Sequence, residues 1–346
     1  MTKFCHLPFS TLDRRATGEF HPCCDYASQP DEKRYTEVNE YLKSPELEEV
    51  REAFRKGNLP IQCQRCWKLE DKGLVSLRQK MEHENFLAKG ETIKRVVIST
   101  GNTCNLACIT CFPGTSSRIA QFFDPDDQGR KFMSDFDHGL ANYVLQNETI
   151  RIIEFIGGEP FLSKKMWAFL ESLIRMQRAQ LTHLRIITNA TVVNDKIIET
   201  LKEFRSVKLM VSLDGVGATN NYQRWPSKFD ELEANIVRLR KSFPISILST
   251  LTAFNITNVH EIREFCQKHD LLFKGPHVVK NKDAILPGNL PKELHHLVHE
   301  DYRAFLEFKN ESVDIFAYIQ EWDQARGARI GDFLPEWQRF DNKFNS

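Results

Sequence analysis

No apolar run in this 346-residue sequence is longer than a β-strand, so no membrane-spanning helix is expected. The opening MTKFCHLPFS lacks the charged start and long apolar stretch of a secretory signal, and a cytoplasmic protein is expected. Charge of one sign is not in excess either. Lys and Arg number 47 and so do Asp and Glu, which gives no reason to expect a nucleic-acid partner. Low-complexity segments and internal repeats are also missing. Cysteine, by contrast, is abundant. The nine cysteines fall in groups: Cys5, Cys23 and Cys24; Cys63 and Cys66; Cys104, Cys108 and Cys111; only Cys266 stands alone. In a reducing compartment such groups are metal ligands or catalysts more often than disulfides.

Three regions differ in texture. Residues 1–90 are rich in Cys, His, Pro and charge, with a helix expected at Ser44–Lys56, where Ser44 is a candidate N-cap, Pro45 suits the first turn and Gly57 follows as a stop. Residues 91–285 alternate strand and helix. Strands are expected at Arg95–Ser99, Arg151–Ile156, Leu184–Thr188, Val207–Leu213, Ile245–Leu251 and from Leu271 towards Val279. Helical patterns at Lys164–Arg178, Asp195–Phe204, Asp230–Ser242 and Val259–His269 lie between them. Near-continuous apolar strands point to an α/β fold with a parallel sheet, either an open doubly wound sheet or an incomplete barrel. Residues 286–346 read as a helical extension with aromatic anchors.

The stretch TGNTCNLACITC, Thr100 to Cys111, directly follows the first of these strands and carries C-x3-C-x2-C. It therefore sits at the carboxyl end of a strand, where βα folds place their chemistry. Three thiolates can hold three irons of a four-iron cluster and leave one coordination position open, as a catalytic metal requires. A zinc site completed by a remote His, or unligated core cysteines, are the competing readings.

With Gly157–Gly158–Glu159–Pro160 after the second strand, the chain resembles the radical S-adenosylmethionine (radical SAM) superfamily over roughly residues 93–280. The resemblance implies a partial (β/α)6 barrel. It implies a 4Fe-4S cluster on Cys104, Cys108 and Cys111 whose open iron is chelated by SAM. Reductive cleavage would then give a 5′-deoxyadenosyl radical that takes a hydrogen atom from substrate. It further implies that the Gly157–Pro160 edge accepts hydrogen bonds from the SAM amino group. Asn189 at the end of the third strand would face the cofactor, and Ser212 and Asp214, which strand alternation puts on one side, would meet its ribose. Arg224 would pair with its carboxylate, and Leu251 would pack on adenine, with a core role as the alternative. Thr110 stands where relatives often have an aromatic residue near the adenine. A flavodoxin or ferredoxin is the implied electron donor.

Cys5, twelve residues, Gly18, four residues and Cys23, followed by Cys63-x2-Cys66, resemble the SPASM/twitch auxiliary-cluster module, here placed before the barrel rather than after it. Lys72 and the absence of further cysteines nearby limit the module to one auxiliary 4Fe-4S cluster, on Cys5, Cys23, Cys63 and Cys66. Cys24 is the alternative to Cys23, and a zinc knuckle is the competing reading. His6, His21 and His83 are read as surface residues, with a ligand role at this site as the alternative. Cys24 is also the candidate hydrogen-atom donor if the reaction is an epimerisation, and Cys266 is read as core. Asp124–Asp126–Asp127 mimics a calcium loop, but Pro125 and a missing Glu argue against one. The substrate implied is a peptide or protein side chain undergoing oxidation, cross-linking or epimerisation. A small sugar, nucleotide or cyclitol is the alternative, and a zinc-stabilised interaction protein is the non-enzymatic one.

Overall fold

The computed structural model describes residues 4–73, 75–82, 90–124, 138–280 and 282–344. Eight strands form: β1 Thr11–Arg14, β2 Phe20–His21, β3 Arg95–Ser99, β4 Ile152–Ile156, β5 His183–Thr188, β6 Ser206–Ser212, β7 Ile245–Leu251 and β8 Leu272–Val278. Their order is β2-β1-β3-β4-β5-β6-β7-β8, which makes the chain a mixed α/β fold. Strands β3 to β8 are the six expected, with ends moved by a residue at most. The helices between them are Lys164–Arg175, Asp195–Lys202, Phe229–Arg240 and Val259–Lys268. Among the described residues no helix is long and apolar enough to cross a membrane.

Residues 1–90 do something the sequence did not announce. Their strand β1 pairs in parallel with β3, Leu12 opposite Val96 and Arg14 opposite Ile98, and β2 returns antiparallel to β1. Four residues, TLDR, two of them charged, carry too little alternation to read as a strand. The helix Pro45–Arg55 forms where expected, with the Ser44 hydroxyl accepting from the Leu47 N–H at 3.3 Å.

The chain divides into two compact units. The first comprises residues 1–101, 131–186 and 200–206, so far as they are described, and holds β1 to β4 and most of β5. In-register parallel neighbours share a face. Leu12, Val96, Ile98, Ile153, Phe155, Leu184 and Ile186 share one face with Arg14, which lies opposite Ile98, and each is essentially inaccessible. The Phe155 ring meets Phe169 of the helix Lys164–Arg175 at 6.3 Å between centroids. Thr11, Asp13, Arg95, Val97, Ser99, Ile152, Glu154, Ile156 and Arg185 lie on the opposite face, the more polar of the two. Arg95 pairs with Glu154 at 2.8 Å, and Arg15 lies 3.8 Å from Asp13.

Burial pushes the Asp13 carboxyl up to about 6, against the pull of Arg15 and Arg95. A carboxyl raised above its unfolded value keeps its proton where the unfolded chain has lost it. Its contribution to stability is therefore present below about pH 4 and lost as pH rises through about 6. Asp13→Asn is expected to remove this dependence. Between pH 5 and 7.5 the variant should gain on the order of 1–2 kcal/mol relative to wild type in urea melts, and a constant difference between the two would contradict it.

The second unit comprises residues 102–130, 187–199 and 207–346, so far as they are described. Parallel β6, β7 and β8 run through it, Val211 opposite Ile247 and Thr250 opposite His277. The helix Phe229–Arg240 buries Leu232, Ile236 and Leu239, and Val259–Lys268 buries Val259, Ile262, Phe265 and Cys266. Cys266 is thus core, as expected. The extension after residue 286 is helical but mostly as 3-10 turns. Its one long α-helix, Ile315–Arg326, stops at Gly327, whose φ of 60° makes a left-handed cap. Trp337 anchors it, fully buried and 5.5 Å from the Phe254 ring.

Candidate functional site

The cysteine loop in the second unit is held by its own neighbours. The Ser117 hydroxyl accepts from the Cys104 N–H at 3.1 Å, and the Ser116 hydroxyl donates to the Leu106 carbonyl at 2.6 Å. The Ala107 N–H donates to the Trp225 carbonyl at 2.7 Å and the Ile109 N–H to the Gln223 carbonyl at 2.8 Å. This two-bond ladder fixes the segment carrying Arg224 against the loop. Arg224 is thereby a charged neighbour of both Cys108 and Cys111.

The three thiols interact with one another. Cys108 donates to the Cys111 sulfur, which pushes Cys108 up and brings Cys111 down to about 6, with Arg224 aiding Cys111 and burial opposing it. Arg224 keeps its charge: burial works against it, but Cys108, Asp214 and Cys111 outweigh that. Thiolate is the ligating form, and Cys111, drawn towards it beside a fixed cation, is suited to ligate a metal cluster. Asn189 joins them. Its Nδ2 donates to Asn105 Oδ1 at 3.0 Å and lies 4.0 Å from the Cys104 sulfur. The next residue, Ala190, has φ 53°, in the left-handed region that favours glycine. The Thr188 hydroxyl accepting from its N–H at 2.9 Å and Asn235 donating to its carbonyl at 3.0 Å hold it there.

Asp214 and Arg224, expected to meet different parts of SAM, pair with each other. Asp214 Oδ2 accepts from Arg224 at 2.6 Å and Oδ1 from the Thr250 N–H at 2.7 Å. Asp214 thus positions Arg224, and the Arg224 Nε is left buried without a hydrogen-bond partner among the described residues. Ser212 and Thr110 are half-buried, and Leu251 is fully buried at the end of β7.

Two residues that sequence reasoning missed complete this surround. The Tyr318 hydroxyl donates to the Ile109 carbonyl inside the loop at 3.0 Å. Lys282 donates to the same hydroxyl at 3.0 Å, and its ammonium lies 4.6 Å from the Trp322 ring centre. Burial brings Lys282 down to about 8. No spacing in the sequence links positions so far from the cysteines.

In the first unit, the GGEP turn closes β4. The Gly157 φ is 134°, and a Cβ there would stand 2.8 Å from the Gly101 carbonyl oxygen, so only glycine lets the two turns touch. The Gly158 N–H donates to that same oxygen at 2.8 Å. Glu159 is buried and accepts from the Phe161 N–H at 3.0 Å, and Pro160 opens the short turn that follows.

The N-terminal thiols also converge. Cys5 and Cys66 belong to a buried cluster with Leu7, Phe9, Val50, Phe54 and Trp67, and Cys23 and Cys63 pack against it. Burial pushes Cys5 and Cys63 up to about 12, and neighbouring thiols add to both shifts. Such a pocket suits a cofactor that replaces the protons. The structure brings Cys23 rather than Cys24 up to Cys5 and Cys63. Cys24 is exposed, with Asp13, Asp25, Arg15 and Arg95 as charged neighbours. His21 is buried between Glu19, at 3.6 Å, and Ser28, at 3.5 Å, so the surface expectation fails for it. The reason is local: β2 turns it inwards against the Tyr26 ring. His83, Pro125, Asp126 and Asp127 lie outside the described residues.

A pattern unites the two sets. The N–H two residues ahead donates to the sulfur at Cys5 (from Leu7), at Cys23 (from Asp25) and at Cys104 (from Leu106, 3.5 Å). Hydrogen bonds to thiolate sulfur tune iron–sulfur clusters. Among the described residues no three His, Cys, Asp or Glu side chains close on one point as a single ion needs. A cluster asks less, since each thiolate takes its own iron.

Comparison with known proteins places these features. An uncharacterised protein of Methanocaldococcus jannaschii is 25% identical over 181 residues, 50% of this chain and 58% of its own. A probable GTP 3′,8-cyclase of the same organism is 24% identical over 51% of this chain and 56% of its own. The sporulation killing factor maturation protein SkfB of Bacillus subtilis is 22% identical over 48% of this chain and 37% of its own. The chain thus spans about half the length of the first of these relatives and less of the last. Residues 98–268, which carry the cysteine loop, GGEP, Asn189, Asp214 and Arg224, match the Radical SAM superfamily, and the chain belongs to it.

Proposed function

We propose that this chain binds a 4Fe-4S cluster on Cys104, Cys108 and Cys111, binds SAM beside it, and removes a hydrogen atom from a substrate. When bound, the pair supplies a 5′-deoxyadenosyl radical. The protein's share is placement. The Ser116–Ser117 bonds and the 223–225 ladder hold the three thiols in one conformation. Asp214 aims Arg224, whose spare Nε suits a carboxylate such as that of SAM. Asn189 flanks Cys104. The Cys108–Cys111–Arg224 arrangement carries this reading: a thiolate and a fixed guanidinium side by side on the loop that the family uses.

Cys5, Cys23, Cys63 and Cys66 are proposed to hold one auxiliary cluster. Four protein thiolates leave it no open position, so its role is electron transfer or stapling of residues 1–90. A flavodoxin or ferredoxin is the proposed donor, and the cytoplasm the proposed compartment. A peptide or protein side chain is the first substrate reading, supported by the relative that matures a killing factor. A small sugar, nucleotide or cyclitol is the second. The polar face of the first unit favours it, as does the relative named as a GTP cyclase.

The test is spectroscopic. Adding SAM to anaerobically reconstituted, reduced protein is expected to change the electron paramagnetic resonance spectrum of one cluster. An unchanged spectrum would sink the assignment.

A further inference from the structure

Burying an ammonium is costly unless an opposite charge meets it. Lys282 is half-buried beyond the end of β8, and no carboxylate forms an ion pair with it among the described residues. What holds it is neutral. Its Nζ donates to the Tyr318 hydroxyl at 3.0 Å and lies 4.6 Å from the Trp322 ring centre and 5.4 Å from that of Tyr318. Both rings belong to the helix Ile315–Arg326, one turn apart, with centroids 5.8 Å from each other. Ring faces attract a cation but do not cancel its charge.

That charge bears on the cysteine loop. Tyr318, which accepts from Lys282, donates in turn to the Ile109 carbonyl at 3.0 Å, and Ile109 lies between Cys108 and Cys111 in the chain. Cys111 acts on the Lys282 ammonium more strongly than Glu321 does, and it acts on Tyr318 as well. The other cation at this loop is differently placed. Arg224 pairs with Asp214 at 2.6 Å, so much of its charge is met locally. Lys282 has no such carboxylate.

An ammonium offset only by two rings and a hydroxyl calls for negative charge nearby, and the proposed cluster provides it. The charge of three thiolates outweighs that of an oxidised four-iron core by one, and an added electron raises the excess to two. A fixed cation therefore stabilises the reduced form more than the oxidised one.

We infer that Lys282, set in place by Tyr318 and Trp322, is the cation that stabilises the reduced state of the cluster on Cys104, Cys108 and Cys111, and so raises its reduction potential. It is a positioning residue that acts through its field. One electron passes from the reductant to the cluster, and no bond forms or breaks at the lysine. The helix Ile315–Arg326, which carries both rings, thereby gains a part in the chemistry of the loop. The inference rests on the cluster reading above.

Redox titration of anaerobically reconstituted protein, followed by electron paramagnetic resonance on the signal that SAM perturbs, tests it. At the wild-type midpoint potential, Lys282→Met is expected to lower the ratio of reduced to oxidised cluster about tenfold, a shift of about 59 mV for one electron. Lys282→Arg, which restores the charge, should recover most of that loss. If Lys282→Met fails to fold, Lys282→Gln takes its place with the same expectation, since it is neutral and keeps a donor for Tyr318. A neutral variant whose midpoint stays at the wild-type value overturns the inference. So does a loss that Lys282→Arg does not recover, which would make the lysine a support of the loop rather than a source of charge. The SAM-induced spectral change, recorded on the same wild-type sample, keeps failure here separate from failure of the family chemistry.

Discussion

Cys104→Ala is expected to reduce the formation of 5′-deoxyadenosine from SAM and a strong reductant to background. The reason lies in how little redundancy the loop has. Cys104, Cys108 and Cys111 are the only cysteines within it, and a cluster already short of one protein ligand cannot spare a second. The near side chains, Asn105 and Asn189, carry amides that bond each other at 3.0 Å, and neither is a thiolate substitute. The fold should survive the change. Cys104 is half-buried, and the loop is held chiefly by backbone and serine bonds, among them Ser116 to Leu106 at 2.6 Å and Ala107 to Trp225 at 2.7 Å. Loss of activity with retained secondary structure and a retained auxiliary cluster would therefore mean loss of the metal site. Continued 5′-deoxyadenosine production by the variant would show that these thiols do not hold the reacting cluster.

The sequence carried some of this plainly and hid the rest for identifiable reasons. Strands β3 to β8 were legible because strands covered on both faces read as short apolar runs, and RVVIS or RIIEFI leave few alternatives. The cysteine loop was legible because its ligands are local in sequence. β1 was not, because half of TLDR faces the polar side of the sheet and the signal that marks a strand is hydrophobic alternation. The Asp214–Arg224 pair was also out of reach. Each residue was placed near the cofactor, but their 2.6 Å contact depends on how residues 215–223 return to the loop. Tyr318 reaches the Ile109 carbonyl across 209 positions of sequence, and nothing in a lone tyrosine announces that. Between Cys23 and Cys24, adjacent in sequence, only the direction of each side chain decides. Spacing is silent on direction.

That choice bears on the other large effect. Cys63→Ala is expected to remove one cluster and leave the other, lowering iron from about eight to about four atoms per chain while part of the SAM cleavage survives. Cys63 lies just before the helix Gln64–Asp71, which carries Cys66, and packs against a cluster containing Cys5 and Phe54. With its thiol gone, three ligands remain in a pocket whose apolar walls disfavour a bare thiolate. That burial is what drives Cys5 up to about 12. An incomplete set there pays for deprotonating three buried thiols without a fourth bond in return. The cysteine loop itself begins at Thr100, belongs to other ligands and keeps its own Arg224, so its cluster should assemble independently. The parallel variant Cys24→Ala should leave iron unchanged, since Cys24 is exposed and turned towards Asp13 and Arg15 rather than Cys5. Equal iron in wild type and Cys63→Ala would rule out the auxiliary centre. Iron lost from Cys24→Ala but not from a Cys23→Ala variant would reverse the assignment of the ligand and free Cys23, not Cys24, for any chemistry at the polar face.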